Sequence, residues 1–161
     1  ACSGIGVLPL YEGKQIYHFD HRYATFNDEE ESRVVLVDEK LQPGFFTMPR
    51  YWLSDGDFET RLQGRPIHYQ GVLSVRDITN VTNERTVVTA IRPFTPALNS
   101  LGNLFCRSAA DALFLCACLN SYAGDYVARQ KIGGTHMSPF YLMQLAGVSP
   151  PDACSCAQWA H

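Results

Sequence analysis

The chain alternates short apolar, strand-like runs with polar stretches, and it gains a helical pattern toward its C-terminus. Residues 67–78 and 84–91 are rich in Val, Ile, Thr and Tyr, the side chains that favour strands. The polar residues 79–83 between these two runs predict a hairpin. Residues 33–37 predict a buried strand, and residues 48–53 predict an extended segment.

One segment in the C-terminal half has helical spacing. Ser108 and Asp111 are typical of a helix start, with a capping serine and an acidic side chain three residues later. The helix is expected to reach about Gln130 and to end before Gly133 and Gly134, which permit a left-handed turn. The apolar positions with this period are Ala112, Leu113, Cys116, Leu119, Ala123, Tyr126 and Val127. The predicted fold class is α+β, mainly β with one long helix toward the C-terminus.

The length of 161 residues corresponds to one domain. Residues 1–150 are assigned to it, because Ser149-Pro-Pro-Asp152 and a Cys-rich end are typical of a boundary. Residues 151–161 are assigned to a tail or to the start of a truncated following segment. Asp55-Gly-Asp57 is too short for a calcium loop and predicts a turn. The chain lacks an initiating Met, which suggests an excised piece. It contains no apolar run of about 18 residues, so we expect no membrane segment and a cytoplasmic location.

The charge is unevenly distributed along the chain. A net charge of -3 argues against a freestanding nucleic-acid binder, because such modules are usually basic overall. Residues 28–31, however, contribute four of the negative charges, while residues 60–94 carry five arginines against two acidic residues, a local surplus of three. Arginine presents a planar fork of donors that suits phosphates and guanine edges. The arginines of this stretch are Arg61, Arg65, Arg76, Arg85 and Arg92.

Cysteine and histidine clusters raise the alternative of a metal site. Cys116 and Cys118 would point about 200° apart on a helix, so they cannot hold one zinc ion together, and buried reduced thiols are expected in the helical segment. His18, Asp20 and His21 suggest a small metal-dependent hydrolase or nuclease as an alternative function. On an extended backbone His21 faces away from the other two, so joint chelation needs a turn. No recognised nucleophile elbow, P-loop or zinc-protease motif is present.

Two polar clusters interrupt the strand pattern, at residues 17–23 and 76–88. A purely structural strand would alternate apolar residues with unremarkable polar ones, whereas these clusters concentrate charged and hydrogen-bonding side chains. They favour a binding surface over a catalytic centre. An alternative binding function is a protein-interaction module with Tyr, Trp and Arg at its centre. The predicted hairpin would display Arg76, Asp77, Thr79, Asn80, Asn83, Glu84 and Arg85.

At these clusters the chain resembles a known family, the target-recognition (specificity) domain of type IIG-like restriction-modification N6-adenine DNA methyltransferases. The matching motifs run in family order over nearly the whole chain, and together they are far more specific than any one alone. They are Pro9-Leu-Tyr-Glu-Gly-Lys14, His18-Phe-Asp-His-Arg22, Pro49-Arg-Tyr-Trp52, Arg76-Asp-Ile78, Thr82-Asn-Glu-Arg-Thr86, Leu119-Asn-Ser121, Arg129-Gln-Lys-Ile-Gly-Gly-Thr135 and Gln144-Leu145.

The resemblance implies sequence-specific recognition of double-stranded DNA in phage defence, with catalysis elsewhere in the parent chain. In that family a methyltransferase core precedes this domain and binds S-adenosylmethionine. The Asn-Pro-Pro-Tyr-type catalytic motif and the glycine-rich donor-binding motif of that core are absent from this sequence. We therefore expect no catalytic residue, cofactor or metal in this chain. Its expected partners are duplex DNA and the methyltransferase core of a parent enzyme, with or without a fused endonuclease.

For a domain with this function we predict roles for individual side chains. Phosphate contacts are expected from basic residues, and base contacts from the hairpin, where Arg would pair with guanine and Asn with adenine. The phosphate contacts are Lys14, Arg22, Arg50 and Lys131. The base contacts are Arg76, Thr79, Asn83 and Arg85. His21 and Thr135 complete the expected DNA-binding set.

Overall fold

The computed structural model describes residues 6–62 and 71–145 and the backbone of residues 158–159. The predicted α+β class is confirmed, with helix and strand in comparable amounts. In chain order the described elements are β1 (Val7–Leu10), a 3-10 turn (Gly13–Gln15), β2 (Ala24–Phe26), β3 (Ser32–Val34), α1 (Val37–Lys40), β4 (Tyr51–Ser54), α2 (Asp55–Leu62), β5 (Gly71–Arg76), β6 (Thr89–Pro93), β7 (Leu101–Phe105), α3 (Ala109–Asn120), α4 (Tyr122–Lys131), α5 (Pro139–Met143) and β8 (Gln158–Trp159).

The central element is an antiparallel four-stranded sheet in the order β6-β5-β7-β8. In its register Ser74 lies opposite both Ala90 and Asn103. The predicted hairpin is confirmed, since β5 pairs with β6, but residues 77–88 form a longer connection than the sequence indicated. Two smaller antiparallel pairs, β1 with β4 and β2 with β3, lie outside this sheet. After residue 150, the two residues of β8 add backbone pairing to the edge strand β7.

The sheet buries both of its faces, because successive side chains of a strand point to opposite sides. Leu73 and Val75 of β5 pack in one cluster with side chains of α3, α4 and α5. Val88 and Ala90 pack on the other face with side chains from the N-terminal segment. The first cluster also includes Val87, Leu104, Cys106, Cys116, Leu119, Ala128, Ile132, Met137 and Leu142. The second also includes Tyr11, Ile16 and Leu101.

The predicted long helix begins where expected but is divided in two. Ser108 Oγ accepts a hydrogen bond from the backbone N–H of Asp111, as the capping motif indicated. Ser121 then interrupts the helix with extended backbone, and its Oγ accepts from the N–H of Gly124, which caps α4. A side chain at Gly124 would overlap the carbonyl oxygen of Cys118, so this sharp break requires glycine. The division turns α4 toward the β5–β6 connection.

Three local predictions are corrected. Residues 33–37 are not a buried strand: β3 is exposed, only Val35 is buried, and α1 begins at Val37. Asp55 to Asp57 form the first turn of α2 and not the predicted turn between elements. The Ser54 Oγ accepts a hydrogen bond from the N–H of Asp57, which caps this helix. Gly133 and Gly134 lack positive φ, since α4 ends through extended backbone at Ile132.

The cysteines of the helical region have the expected character. Cys106 and Cys116 are buried free thiols, and Cys118 is half-buried. Burial, together with the nearby charge of Asp111, raises the pKa of the Cys106 thiol to about 11. Cys154 and Cys156 lie outside the described residues. In the described part of the chain, no helix is long and apolar enough to cross a membrane.

Candidate functional site

The 79–86 loop, residues Thr79 to Thr86 in the β5–β6 connection, is anchored by a buried carboxylate from α4. Asp125 is 5% exposed, and its Oδ1 accepts hydrogen bonds from the N–H groups of Thr86, at 2.6 Å, and Val87, at 2.9 Å. Burial by itself would raise the pKa of Asp125, but these N–H groups and the Arg129 guanidinium outweigh it and lower the pKa. The carboxylate therefore stays ionised and fixes one end of the loop.

Arg129, one turn further along α4, binds the backbone of the same loop. Its Nε donates to Asp125 Oδ2 at 2.7 Å. Its Nη1 donates to the carbonyl of Val81 at 2.6 Å, and its Nη2 donates to the carbonyls of Asn83 at 2.8 Å and Glu84 at 2.7 Å. One guanidinium thus satisfies three carbonyls in four successive residues, which holds the loop in a single conformation.

The opposite side of the loop is closed by Thr79. This residue is 4% exposed, and its hydroxyl donates to the carbonyl of Thr86 at 2.5 Å. Its backbone N–H donates to the carbonyl of Thr135 at 2.9 Å. Asp77 and His136 form a further contact at 2.7 Å between Oδ2 and Nδ1. The Gly-Gly-Thr-His segment therefore lies beside the loop.

The outer surface of the loop is polar and exposed. Val81, Thr82, Asn83 and Glu84 are all solvent-exposed. Asn80 Oδ1 accepts from the N–H and the hydroxyl of Thr82, an internal arrangement that shapes the turn. Among the described contacts the Asn83 side chain makes no hydrogen bond, and Glu84 receives only a long one, 3.5 Å, from the Tyr17 hydroxyl. The predicted exposure of Asn83 is confirmed.

Two residues predicted to be displayed on this hairpin are instead internal. Arg76 is half-buried: its Nε donates to the carbonyl of Gly13 at 2.8 Å, its Nη2 donates to the carbonyl of Ile16, and it packs on the Tyr17 ring. Burial lowers its pKa. Arg76 therefore connects β5 to the N-terminal segment, and Thr79 closes the loop. The prediction that both side chains are displayed for base contact is wrong, because their hydrogen-bonding groups are used within the fold.

The Arg85 guanidinium also makes contacts within the fold. Its Nη2 donates to the carbonyl of Asn120, and its guanidinium carbon lies 4.4 Å from the centre of the Tyr122 ring. Its Nε is buried without a hydrogen-bond partner among the described residues. Arg85 thus joins the loop to the break between α3 and α4, and its expected display at the hairpin is not observed.

Some of the residues predicted to contact DNA make contacts within the fold, and others are exposed to solvent. Arg22 Nη1 donates to the carbonyl of Lys40 at 3.3 Å. Arg50 lies over the Phe26 ring at 4.6 Å and 3.6 Å from Glu12, and it is half-buried. Burial, together with the charge of Arg22, lowers the pKa of His21, which disfavours a cationic imidazole there. The exposed members of the predicted set, besides Asn83, are Lys14, Lys131 and Thr135.

Two of the three groups of the alternative metal-dependent function, His18 and Asp20, are bonded to other parts of the fold. Nε2 of His18 lies 2.9 Å from the carbonyl of Val87, so it donates a hydrogen bond there. Asp20 binds Lys40 Nζ at 2.5 Å and accepts from the N–H of Arg22 at 2.8 Å. Across residues 6–62 and 71–145, no group of three His, Cys, Asp or Glu is arranged to hold a metal ion. The structure gives this alternative no geometric support.

The arginine surplus in residues 60–94 is not a surface patch. Arg92 is 1% exposed, and it donates to Ser74 Oγ at 2.9 Å, to the carbonyl of Thr95 at 2.8 Å and to Asn103 Oδ1 at 3.0 Å. Burial lowers its pKa to about 10, so it is still charged at neutral pH. Arg65 lies outside the described residues. Among the arginines of this stretch that the structure describes, only Arg61 is exposed.

Three residues that anchor the loop or the strand after it are absent from the predicted site residues: Asn120, Asp125 and Arg129. Asp125 and Arg129 are spaced for an i,i+4 ion pair, which the sequence could have indicated. Their contacts with residues 81–87 are long-range and carry no local signal. Asn120 exchanges two hydrogen bonds with the backbone of Thr89, from its Nδ2 at 2.8 Å and to its Oδ1 at 3.0 Å.

Comparison of the chain with models of known protein families, with curated proteins and with solved structures finds no match. The family resemblance therefore depends on the motifs themselves. In the structure three of those motifs meet around one feature. Phe19 and Asn120 both donate to the carbonyl of Thr89, and Arg85 donates to the carbonyl of Asn120, so the motifs His18 to Arg22, Thr82 to Thr86 and Leu119 to Ser121 are linked through these bonds.

Proposed function

We propose that this chain reads the base sequence of duplex DNA, as the target-recognition domain of an adenine-N6 DNA methyltransferase. The observation that carries the proposal is the 79–86 loop, whose backbone is held by Asp125 and Arg129 while its outer side chains are exposed. A surface that is already ordered loses little conformational entropy on binding. Sequence reading needs side chains that project from a fixed backbone, and the bonds from Asp125 and Arg129 fix the backbone of this loop.

Asn83 and Glu84 are the groups of this loop that fit base edges. An asparagine amide can bind the N6 and N7 positions of adenine as a bidentate pair, and a glutamate carboxylate can accept from the N4 amino group of cytosine. Both side chains are exposed, and neither has a strong internal hydrogen bond among the described contacts. We therefore assign the base contacts to Asn83, which was predicted, and to Glu84, and no longer to Arg76, Thr79 and Arg85.

Lys14, Lys131 and Thr135 are the groups proposed to contact phosphates. Lys14 adjoins Gly13, which receives the Arg76 bond, and Thr135 binds the loop through its carbonyl. Phosphate contacts position a protein on the duplex without reading its sequence. With only two free lysines in this set and a net charge of -3, we expect weak binding that falls further as salt rises.

The chemistry of the proposed parent enzyme lies outside this chain. A methyltransferase core would bind S-adenosylmethionine and receive the target adenine after it leaves the base stack. The present chain contributes recognition only, in the cytoplasm, where the cell's DNA and invading DNA are both accessible. Its partners are thus double-stranded DNA and the core of the parent chain.

The proposal is tested by selecting duplexes with a randomised central segment on the 161-residue chain. We expect the wild type to enrich one short sequence. Asn83→Ala is expected to relax the preference at one base pair by about 5- to 150-fold, the equivalent of about 1–3 kcal/mol for one bidentate contact. Asn99→Ala, at an exposed asparagine outside the loop, is the matched control and should leave the enriched sequence unchanged.

Two results would contradict the proposed function. The first is recovery of no common sequence from the wild-type selection at low salt. The second is an enriched sequence that Asn83→Ala and Glu84→Ala both leave intact while the variants stay folded, since the loop would then not be the reading element.

A further inference from the structure

Phe19 has a backbone conformation that is rare for its residue type. Its φ is +59°, in the left-handed region that bulky side chains seldom adopt, and its side chain is 62% exposed. The sequence thus places a strained aromatic residue where glycine or asparagine would fit more easily. Strained conformations persist only where the surrounding structure enforces them, and they cluster at functional sites.

The turn that holds Phe19 is fixed on several sides. Tyr17 and Asp20 exchange two backbone hydrogen bonds across it, at 2.8 and 3.1 Å. The N–H of Phe19 donates to the carbonyl of Thr89 at 3.0 Å. The Lys40 ammonium neutralises the Asp20 carboxylate at 2.5 Å. The ring is therefore presented to solvent from a rigid base, with no uncompensated negative charge from Asp20 beside it.

The same network continues to a second exposed aromatic ring. The carbonyl of Thr89 also accepts from Asn120 Nδ2, and the carbonyl of Asn120 accepts from Arg85. The Arg85 guanidinium packs against Tyr122, which is 85% exposed. The Phe19 turn is thus bonded to the strand that leaves the 79–86 loop and to the helix break that anchors it.

We propose that Phe19 is a stacking residue for an unpaired base in DNA that has been locally opened. The proposal rests on the proposed function. It goes further because it specifies the form of DNA that is bound, a locally opened duplex, and the residue that binds the unpaired base. A phenylalanine ring has no hydrogen-bonding group, so it recognises a base by its face and without regard to sequence. Apolar side chains that enter a duplex between base steps stabilise the opened form in this way.

The place of Phe19 in the fold, beside the 79–86 loop, favours a DNA base over a protein partner as the group that covers its ring. His18 Nε2 binds the carbonyl of Val87, which directly follows the loop proposed to read base edges, and Phe19 N–H binds the carbonyl of Thr89 at the start of β6. The Tyr17 hydroxyl, in the turn that carries Phe19, lies 3.5 Å from Glu84 Oε2, so a duplex bound at Glu84 lies next to this turn. Opening of the duplex exposes base faces at that location, and the rigid ring binds one of them without being reordered.

The test uses the 161-residue chain and duplexes of the selected sequence, fully paired or with one unpaired base at successive positions. At one position the wild type should bind the unpaired form at least about five-fold more tightly, as expected for one stacked base. Phe19→Gly and Phe19→Ala should lose this preference, and Phe19→Trp should keep it. Phe19→Gly should also raise the Tm, because it relieves the left-handed strain.

The outcomes separate this inference from the proposed function. Sequence-specific binding of paired duplex, combined with no preference for an unpaired base at any position, would overturn the role of Phe19 alone. An unchanged preference in a folded Phe19→Gly variant would do the same, and its Tm is measured to establish that it is folded. A wild-type chain that binds neither paired nor unpaired duplexes would overturn both proposals.

Discussion

Asp125→Ala is expected to lower the free energy of unfolding by about 3–5 kcal/mol, the range for removal of one partner from a buried charged pair. The substitution leaves the N–H groups of Thr86 and Val87 and the Nε of Arg129 without their acceptor. Denaturant unfolding followed by circular dichroism measures the change. The effect is large because a single carboxylate, 5% exposed, serves three donors.

Asp125→Asn is the matched variant, since it keeps an oxygen acceptor for the two backbone N–H groups and removes the charge. We expect it to be destabilised by less than half as much as the alanine variant. Asp111→Ala, at the less buried acidic residue of α3, should change the unfolding free energy by about 1 kcal/mol or less. A loss below about 1 kcal/mol in Asp125→Ala would mean that the carboxylate does not anchor the loop.

The lowered pKa of Asp125 gives its contribution a defined pH dependence. A carboxyl whose pKa is lower in the folded state stabilises the fold above its unfolded pKa, about 3.9, and loses that contribution as pH falls through the folded value. The difference in unfolding free energy between the wild type and Asp125→Asn should therefore be constant near neutral pH and shrink below about pH 4. A difference that grows toward acid would contradict the assignment.

Arg92→Ala is expected to cost about 3–5 kcal/mol, because several buried acceptors lose their donor at about 1–3 kcal/mol each and a cavity remains. Ser74, Thr95 and Asn103 all accept hydrogen bonds from this guanidinium, and the Tyr11 ring packs against it at 5.1 Å. Thermal unfolding should show a lower Tm for the variant.

The matched control for Arg92 is Arg107→Ala, at an exposed arginine. Its unfolding free energy should stay within about 0.5 kcal/mol of the wild type. The same small effect in Arg92→Ala would show that the buried guanidinium is dispensable.

The parts of the fold predicted correctly are those with strong local signals. The β5–β6 pairing followed from β-branched residues on both sides of a polar stretch, and the start of α3 followed from Ser108. The break at Ser121 was missed, because the apolar spacing continues through it and only a second capping serine marks it. The helix at Asp55 was missed because Asp and Gly commonly form turns.

The 79–86 loop of the proposed site lies in the hairpin that the sequence singled out, but several side chains expected on its surface are internal. The charged residues of the hairpin indicated a binding surface, but Arg76 and Arg85 donate hydrogen bonds to carbonyls that are distant in sequence. A local sequence pattern cannot indicate such distant partners. The burial of Arg92 could have been predicted from the sequence alone. Arg92 follows Val88 and Ala90 at two-residue spacing, so its side chain points to the same buried face of the sheet.

The most direct test of the account is a residue-by-residue map of backbone amide chemical shifts in the labelled chain, titrated with the selected duplex. We expect the largest changes at Thr82, Asn83 and Glu84, and smaller changes at Lys14 and Lys131. Residues 28–31, which are exposed and acidic, should be unaffected. Shifts that leave residues 79–86 unchanged while the duplex binds elsewhere on the chain would contradict the claim that this loop reads DNA.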